Sequence, residues 1–133
     1  MTREDKELIL KDLCARLPYG VKVNITSKES KNRIVHLTAD NICNLTSDWW
    51  IECKPYLFPF SSMTEEQKME IKSLCDGTEI FDDGSWMSYI SILGNFNFEI
   101  NLAVVDWYNK NHFDYRGLIP KGLAIDATGL NIY

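Results

Sequence analysis

His112, Asp114, Tyr115 and Arg116 lie close together near the end of the chain and form its densest grouping of side chains able to move a proton, hold an anion or stack on a ring. An imidazole beside a carboxylate and a guanidinium is the material of hydrolytic chemistry, where a base activates a nucleophile and a cation steadies developing charge. Spacing alone defines no reaction here. The chain has no GxSxG elbow, and none of its cysteines stands in a catalytic signature. His36, the other histidine, falls in a predicted strand, on the solvated face opposite Val35 and Leu37. His112 falls at a predicted helix end, where a partly cationic ring meets the negative end of the dipole. Arg116 is expected to pair with Asp106 or Asp114 and lock the corner, the competing reading being a polar recognition cluster over residues 114–116.

Other chemistries find less material. Cys14, Cys43, Cys53 and Cys75 are separated by 29, 10 and 22 positions, with no CxxC or HxxxH arrangement, so no metal site is expected. Asp82-Asp83-Gly84 resembles part of a calcium loop, but the alternating oxygen ligands and the terminal Glu are missing, and a hairpin turn accounts for it better. Neither GxxxxGK[ST] nor GxGxxG occurs, which removes the two common phosphate-cradling loops, and no cofactor is expected. Trp49-Trp50 is the most suggestive binding feature. Neighbouring residues of a strand face opposite ways, so one indole enters the core while the other is displayed as an interaction anchor or covered by residues 56–60.

A chain of 133 residues, 45% hydrophobic and 25% charged, has the size and composition of one ordinary globular domain, residues 1–133. The charged N-terminus runs straight into an amphipathic pattern, and no apolar run reaches membrane-spanning length, so a soluble cytoplasmic protein is expected, its cysteines buried thiols. Net charge is −5, which argues against a protein that grips nucleic acid over its whole surface. The charge is unevenly placed. Residues 1–33 hold eight Lys/Arg against five Asp/Glu, whereas six acids and no base lie between Lys72 and Lys110.

The elements that must position these side chains read as follows. Thr2 to Leu17 is a helix with a Thr2–Asp5 capping pair; Ile9, Leu10, Leu13, Cys14 and Leu17 form its apolar stripe, and Lys6, Lys11, Asp12 and Arg16 stay in water. Val21, Val23 and Ile25 alternate with polar residues in a strand that pairs with Arg33–Thr38 as an antiparallel hairpin. Ala39–Asp48 is a helical turn or an irregular connection. Trp49–Lys54 is a strand, and Pro55 and Pro59 mark an extended edge segment, because proline cannot donate to a central ladder. Thr64 and Gln67 have capping-box spacing at the start of a helix to about Cys75, with Ile71, Leu74 and Cys75 inward. Glu79–Phe81 and Ser85–Leu93 are strands joined at Asp82-Asp83-Gly84, and Phe96, Phe98 and Ile100 alternate like a strand. Leu102, Val105 and Tyr108, flanked by Val104 and Trp107, seat a last helix on the core; a helical turn broken at Pro120 and a short tail from Asp126 end the chain. The sum is one α+β domain, an antiparallel sheet of about five strands with an N-terminal helix and two further helices on one face.

Three stretches, KELILKDLCARLPYGVKV at 6–23, KPYLFPFSSMTEEQK at 54–68 and DWYNKNHFDYRGLIPKGLAID at 106–126, resemble a family of small uncharacterised proteins of gut Bacteroidales genomes and their prophages and other mobile elements. The resemblance implies a bacterial or phage setting and brings no activity or catalytic residues with it. Together with the residues it suggests a non-catalytic accessory protein that binds a protein partner or a small ligand through Trp49, Trp50 and the His112–Arg116 corner. The alternative is a small hydrolase-like enzyme whose site is assembled at that corner from His112, Asp114 and Arg116.

Overall fold

The computed structural model describes residues 2–27, 33–44, 50–74 and 98–133. Helix α1 spans Arg3–Arg16 and begins with the expected reciprocal cap: Thr2 Oγ1 accepts from the Asp5 N–H, and the Asp5 carboxylate accepts from the Thr2 N–H. A 3-10 turn at Leu17–Tyr19 ends it, and Gly20, at φ +68°, turns the chain into strand β1, Lys22–Ser27. Strand β2, Arg33–His36, pairs antiparallel with β1, and a short helix α2, Ala39–Asn44, follows. Strand β3 runs over Trp50–Leu57, helix α3 over Glu65–Leu74, helix α4 over Phe98–Lys110 and strand β4 over Ile125–Asp126. Thr64 and Gln67 close the predicted capping box at α3.

Among the described residues the sheet has four strands in the order β2-β1-β3-β4, close to the five expected, and it is mixed because β4 pairs parallel to β3. Residues 55–57 are internal, contrary to the edge segment expected from the two prolines. Pro55 is the last β3 residue in register with β1, and β4 joins at Tyr56. A missing donor is tolerated at that handover between neighbours.

Two apolar clusters hold the fold. Val21, just before β1, and Val23 and Ile25 of β1 pack with Cys53 and Leu57 of β3, with Ile9 and Leu13 of α1 and with Leu118 and Leu123 beyond α4. The second cluster is aromatic: Trp107, Tyr108 and Phe113 meet Met63 and Ile71, with Phe58, Phe60 and Tyr115 at its margin. Phe58 and Phe60, next to the buried end of β3, carry the chain from one cluster to the other. The Trp107 indole N–H donates to Glu70 at 3.0 Å and ties α4 to α3.

Several side chains differ from the expectation. On α4 the buried stripe is Val104, Trp107 and Tyr108, while Leu102 is exposed and Val105 half-buried; Phe98 and Ile100 are helical, not alternating in a strand. Leu74 is exposed, and of the three described cysteines Cys53 is buried while Cys14 and Cys43 are exposed. Burial pushes the Cys53 thiol up to about 12. Residues 117–124 form hydrogen-bonded turns, not a helix. Trp49, Cys75, the 79–93 strands with their Asp82-Asp83-Gly84 turn, and Phe96 lie outside the described residues. No helix among the described residues is long and apolar enough to cross a membrane.

Candidate functional site

The corner that follows α4 is built by the way the helix stops. His112, in the left-handed region at φ +63°, donates its N–H to Asn109 O, and the Phe113 N–H reaches Tyr108 O at 2.9 Å. These two bonds make a Schellman closure with histidine in the position usually held by glycine. Histidine is among the residues that enter this region more readily than most. His112 O and Asp114 N then pair with Phe58 N–H and C=O, which fixes the corner to the end of β3.

Asp114 is 8% exposed, and its two oxygens accept from the Leu118 N–H at 2.8 Å and the Ile119 N–H at 2.9 Å. It therefore caps its own turn and does not pair with Arg116. Arg116 Nε instead stands 3.3 Å from Asp12 Oδ1, and Asp106 is not its partner either. Asp12 and Arg16, expected in water, have fully buried side chains: Arg16 Nε donates to Asp12 Oδ2 at 2.8 Å and Nη2 to Phe113 O at 2.6 Å. The reason lies in their register. Residues 9, 12, 13 and 16 are one helical face, so the face that buries Ile9 and Leu13 carries Asp12 and Arg16 inward with them.

Tyr115 lies between the two cations, with the Arg16 and Arg116 guanidinium carbons each 5.1 Å from its ring centroid. Its hydroxyl donates to Asn109 Oδ1 at 2.9 Å and accepts from Arg116 Nη2 at 3.4 Å. Asp12 Oδ1, Arg16 Nη1, Arg116 Nε and His112 Nδ1 are buried atoms without an aligned hydrogen bond. Burial pushes the Asp12 carboxyl up, against the pull of Arg16, its hydrogen bond and Arg116. Burial, and then the charge of Arg16, hold His112 down to about 4, so its ring is neutral at pH 7 and not the cationic dipole partner expected.

The structure thus brings Tyr115 and Arg116 together with Asp12 and Arg16 in one charged cluster. His112 turns away from it to stack on Tyr133, ring centroids 3.9 Å apart and planes 13° from parallel. Among the described residues no hydrogen bond or ion pair joins His112, Asp114 and Arg116 to one another. His36 is exposed, as expected, and Trp50 opens β3 opposite Ser27. Asp12, Arg16, Asn109 and Tyr133 were missed as parts of the corner. The four-residue spacing of Asp12 and Arg16, in phase with Ile9 and Leu13, was the available signal for the first two. No group of three His, Cys, Asp or Glu side chains among the described residues is placed to hold a metal ion. No protein-family model matches the chain, and neither a curated protein nor a solved structure matches it.

Proposed function

We propose that this is a non-catalytic accessory protein of a bacterial mobile element or phage that binds a protein partner or small ligand bearing a carboxylate or phosphate at the Tyr115–Arg116 edge. The carrying observation is the seating of Arg116. Its Nε is anchored inward on Asp12 and its guanidinium lies against Tyr115, yet the side chain keeps 29% exposure. A guanidinium already held in place loses less freedom on binding an anion, and Arg and Tyr are both among the residues enriched at the anchor points of interfaces. The cytoplasmic, mobile-element setting rests on the sequence resemblance.

The hydrolase alternative has less support, because Asp114 is occupied by two backbone N–H groups and His112 by Tyr133. An NMR titration tests the binding reading, with a glutamate-rich peptide and inorganic phosphate as separate probes. Shifts confined to residues 109–118 in the wild type and lost in Arg116→Gln are expected. No localised shift with either probe would remove the corner as a binding site.

A further inference from the structure

The segment read from sequence as a short tail closes on the sheet at the place where β1 and β3 separate. The register of those strands ends at Val23 and Pro55, one step before Lys22 and Tyr56. Into that gap comes the Tyr133 hydroxyl, which accepts from the Lys22 N–H at 2.9 Å and donates to Tyr56 O at 2.7 Å. One phenol supplies the donor and the acceptor that the parted strands lack. Its ring stacks on His112, meets Phe58 at 5.8 Å and 52°, and has the Lys22 ammonium 5.8 Å from its centroid. That ammonium also donates to Ile132 O, so the peptide group before the ring is held as well.

These contacts are those of a recognition site. Two backbone groups read the hydroxyl, a flat neutral imidazole and a phenyl hold the ring, and a lysine reads the preceding carbonyl. Burial pushes the Tyr133 phenol up to about 12, which keeps it a donor at any ordinary pH. Tyr133 nonetheless remains 44% exposed, so the occupant lies at the surface and can leave without opening a core.

We propose that this gap is a slot for a tyrosine side chain presented by another polypeptide, and that Tyr133 fills it in cis as a self-ligand. The hydroxyl contacts set tyrosine apart from phenylalanine, because a site built to bond a hydroxyl leaves its own polar groups unpaired when the hydroxyl is absent. The Lys22 bond to Ile132 O sets a tyrosine within a chain apart from a free phenol. A tethered Tyr133 competes at an effective concentration on the order of millimolar, so a partner enters only as residues 128–133, beyond the buried Ala127, swing out.

The test uses the full chain with Tyr133→Ala and three probes: acetyl-Ile-Tyr-amide, acetyl-Ile-Phe-amide and p-cresol. The variant is expected to bind the tyrosine peptide, with NMR shifts at the Lys22 N–H and at His112. The phenylalanine peptide and p-cresol should each bind at least tenfold more weakly, and the wild type, whose slot stays filled, should bind far less of any probe. Equal binding of the two peptides, or of p-cresol and the tyrosine peptide, would overturn the assignment, as would a folded variant that binds none. If Tyr133→Ala is unfolded, recovery of its far-UV circular dichroism on adding the tyrosine peptide supports the slot, and failure to recover it counts against it.

Discussion

Helix α1 carries the same kind of ion pair twice, Arg3 with Glu7 near its start and Asp12 with Arg16 at its end, each spaced four residues apart. The first pair is in water, its side chains 89% and 60% exposed at 3.2 Å; the second is wholly buried at 2.8 Å. Local geometry is therefore shared and environment is not. At the exposed end water screens the attraction and competes for both groups, so the pair adds little. At the buried end the two charges have each other, the Phe113 carbonyl and Arg116, and losing any partner leaves a charge without solvent. The difference also divides their roles. Arg3 and Glu7 decorate the helix, whereas Arg16 joins α1 to the corner that displays Tyr115 and Arg116.

The comparison breaks first, if it breaks at all, at Arg16. Arg16→Met should cost about 3–5 kcal/mol in urea unfolding, because it leaves the buried Asp12 carboxylate with the more distant Arg116 alone and frees the Phe113 carbonyl. A double variant, Asp12→Leu with Arg16→Met, should recover most of that loss. If it recovers none, the Phe113 bond rather than the ion pair is what matters at that end. Asp114→Ala, which removes two backbone contacts from the same corner without touching α1, should cost about 1–3 kcal/mol by the same measurement.

The charge of Arg16 is also sensed by His112, which sharpens the contrast through pH. The unfolded imidazole takes up a proton near pH 6.5, and the folded one does so only near about 4. Stability from this group is present above about 6.5, falls as the pH is lowered towards 4 and levels off below that. Thermal melts of the wild type should follow that slope between pH 7 and 4.5. His112→Asn, which tolerates the positive φ but does not titrate, should lose this part of it. The smallest effect belongs to the exposed pair. Arg3→Ala should change the unfolding free energy by only about 0.2–0.5 kcal/mol, and less in 1 M salt.

Much of the local fold was legible. The caps at Thr2–Asp5 and Thr64–Gln67, the alternation of Val21, Val23 and Ile25, and the hairpin of β1 with β2 are each set by residues near in sequence. The corner was legible as a grouping but not as an arrangement. Its residues were named, while their partners were assigned to the nearest charges along the chain, Asp106 and Asp114. Arg116 reached instead for Asp12, and Asp114 for the backbone of its own turn.

Charge misled most on α1. Asp12 and Arg16 were given to solvent because isolated charges are costly to bury, and that cost is offset here by their pairing with each other and by two partners beyond the helix, the Phe113 carbonyl and Arg116. The tail misled for a similar reason, since nothing in residues 127–133 announces that Tyr133 completes a ladder between Lys22 and Tyr56. By itself the sequence determined what depends on contacts within about one turn or one strand: where helices start, which β1 residues face inward and which strands join as a hairpin. Tertiary structure decided the buried pair, the parallel β4 and the seating of Tyr133. The first and last rest on bonds spanning 97 residues from Arg16 to Phe113 and 111 from Lys22 to Tyr133, and β4 on its pairing with Tyr56 and Leu57, so each residue's role is set by whatever the fold brings beside it.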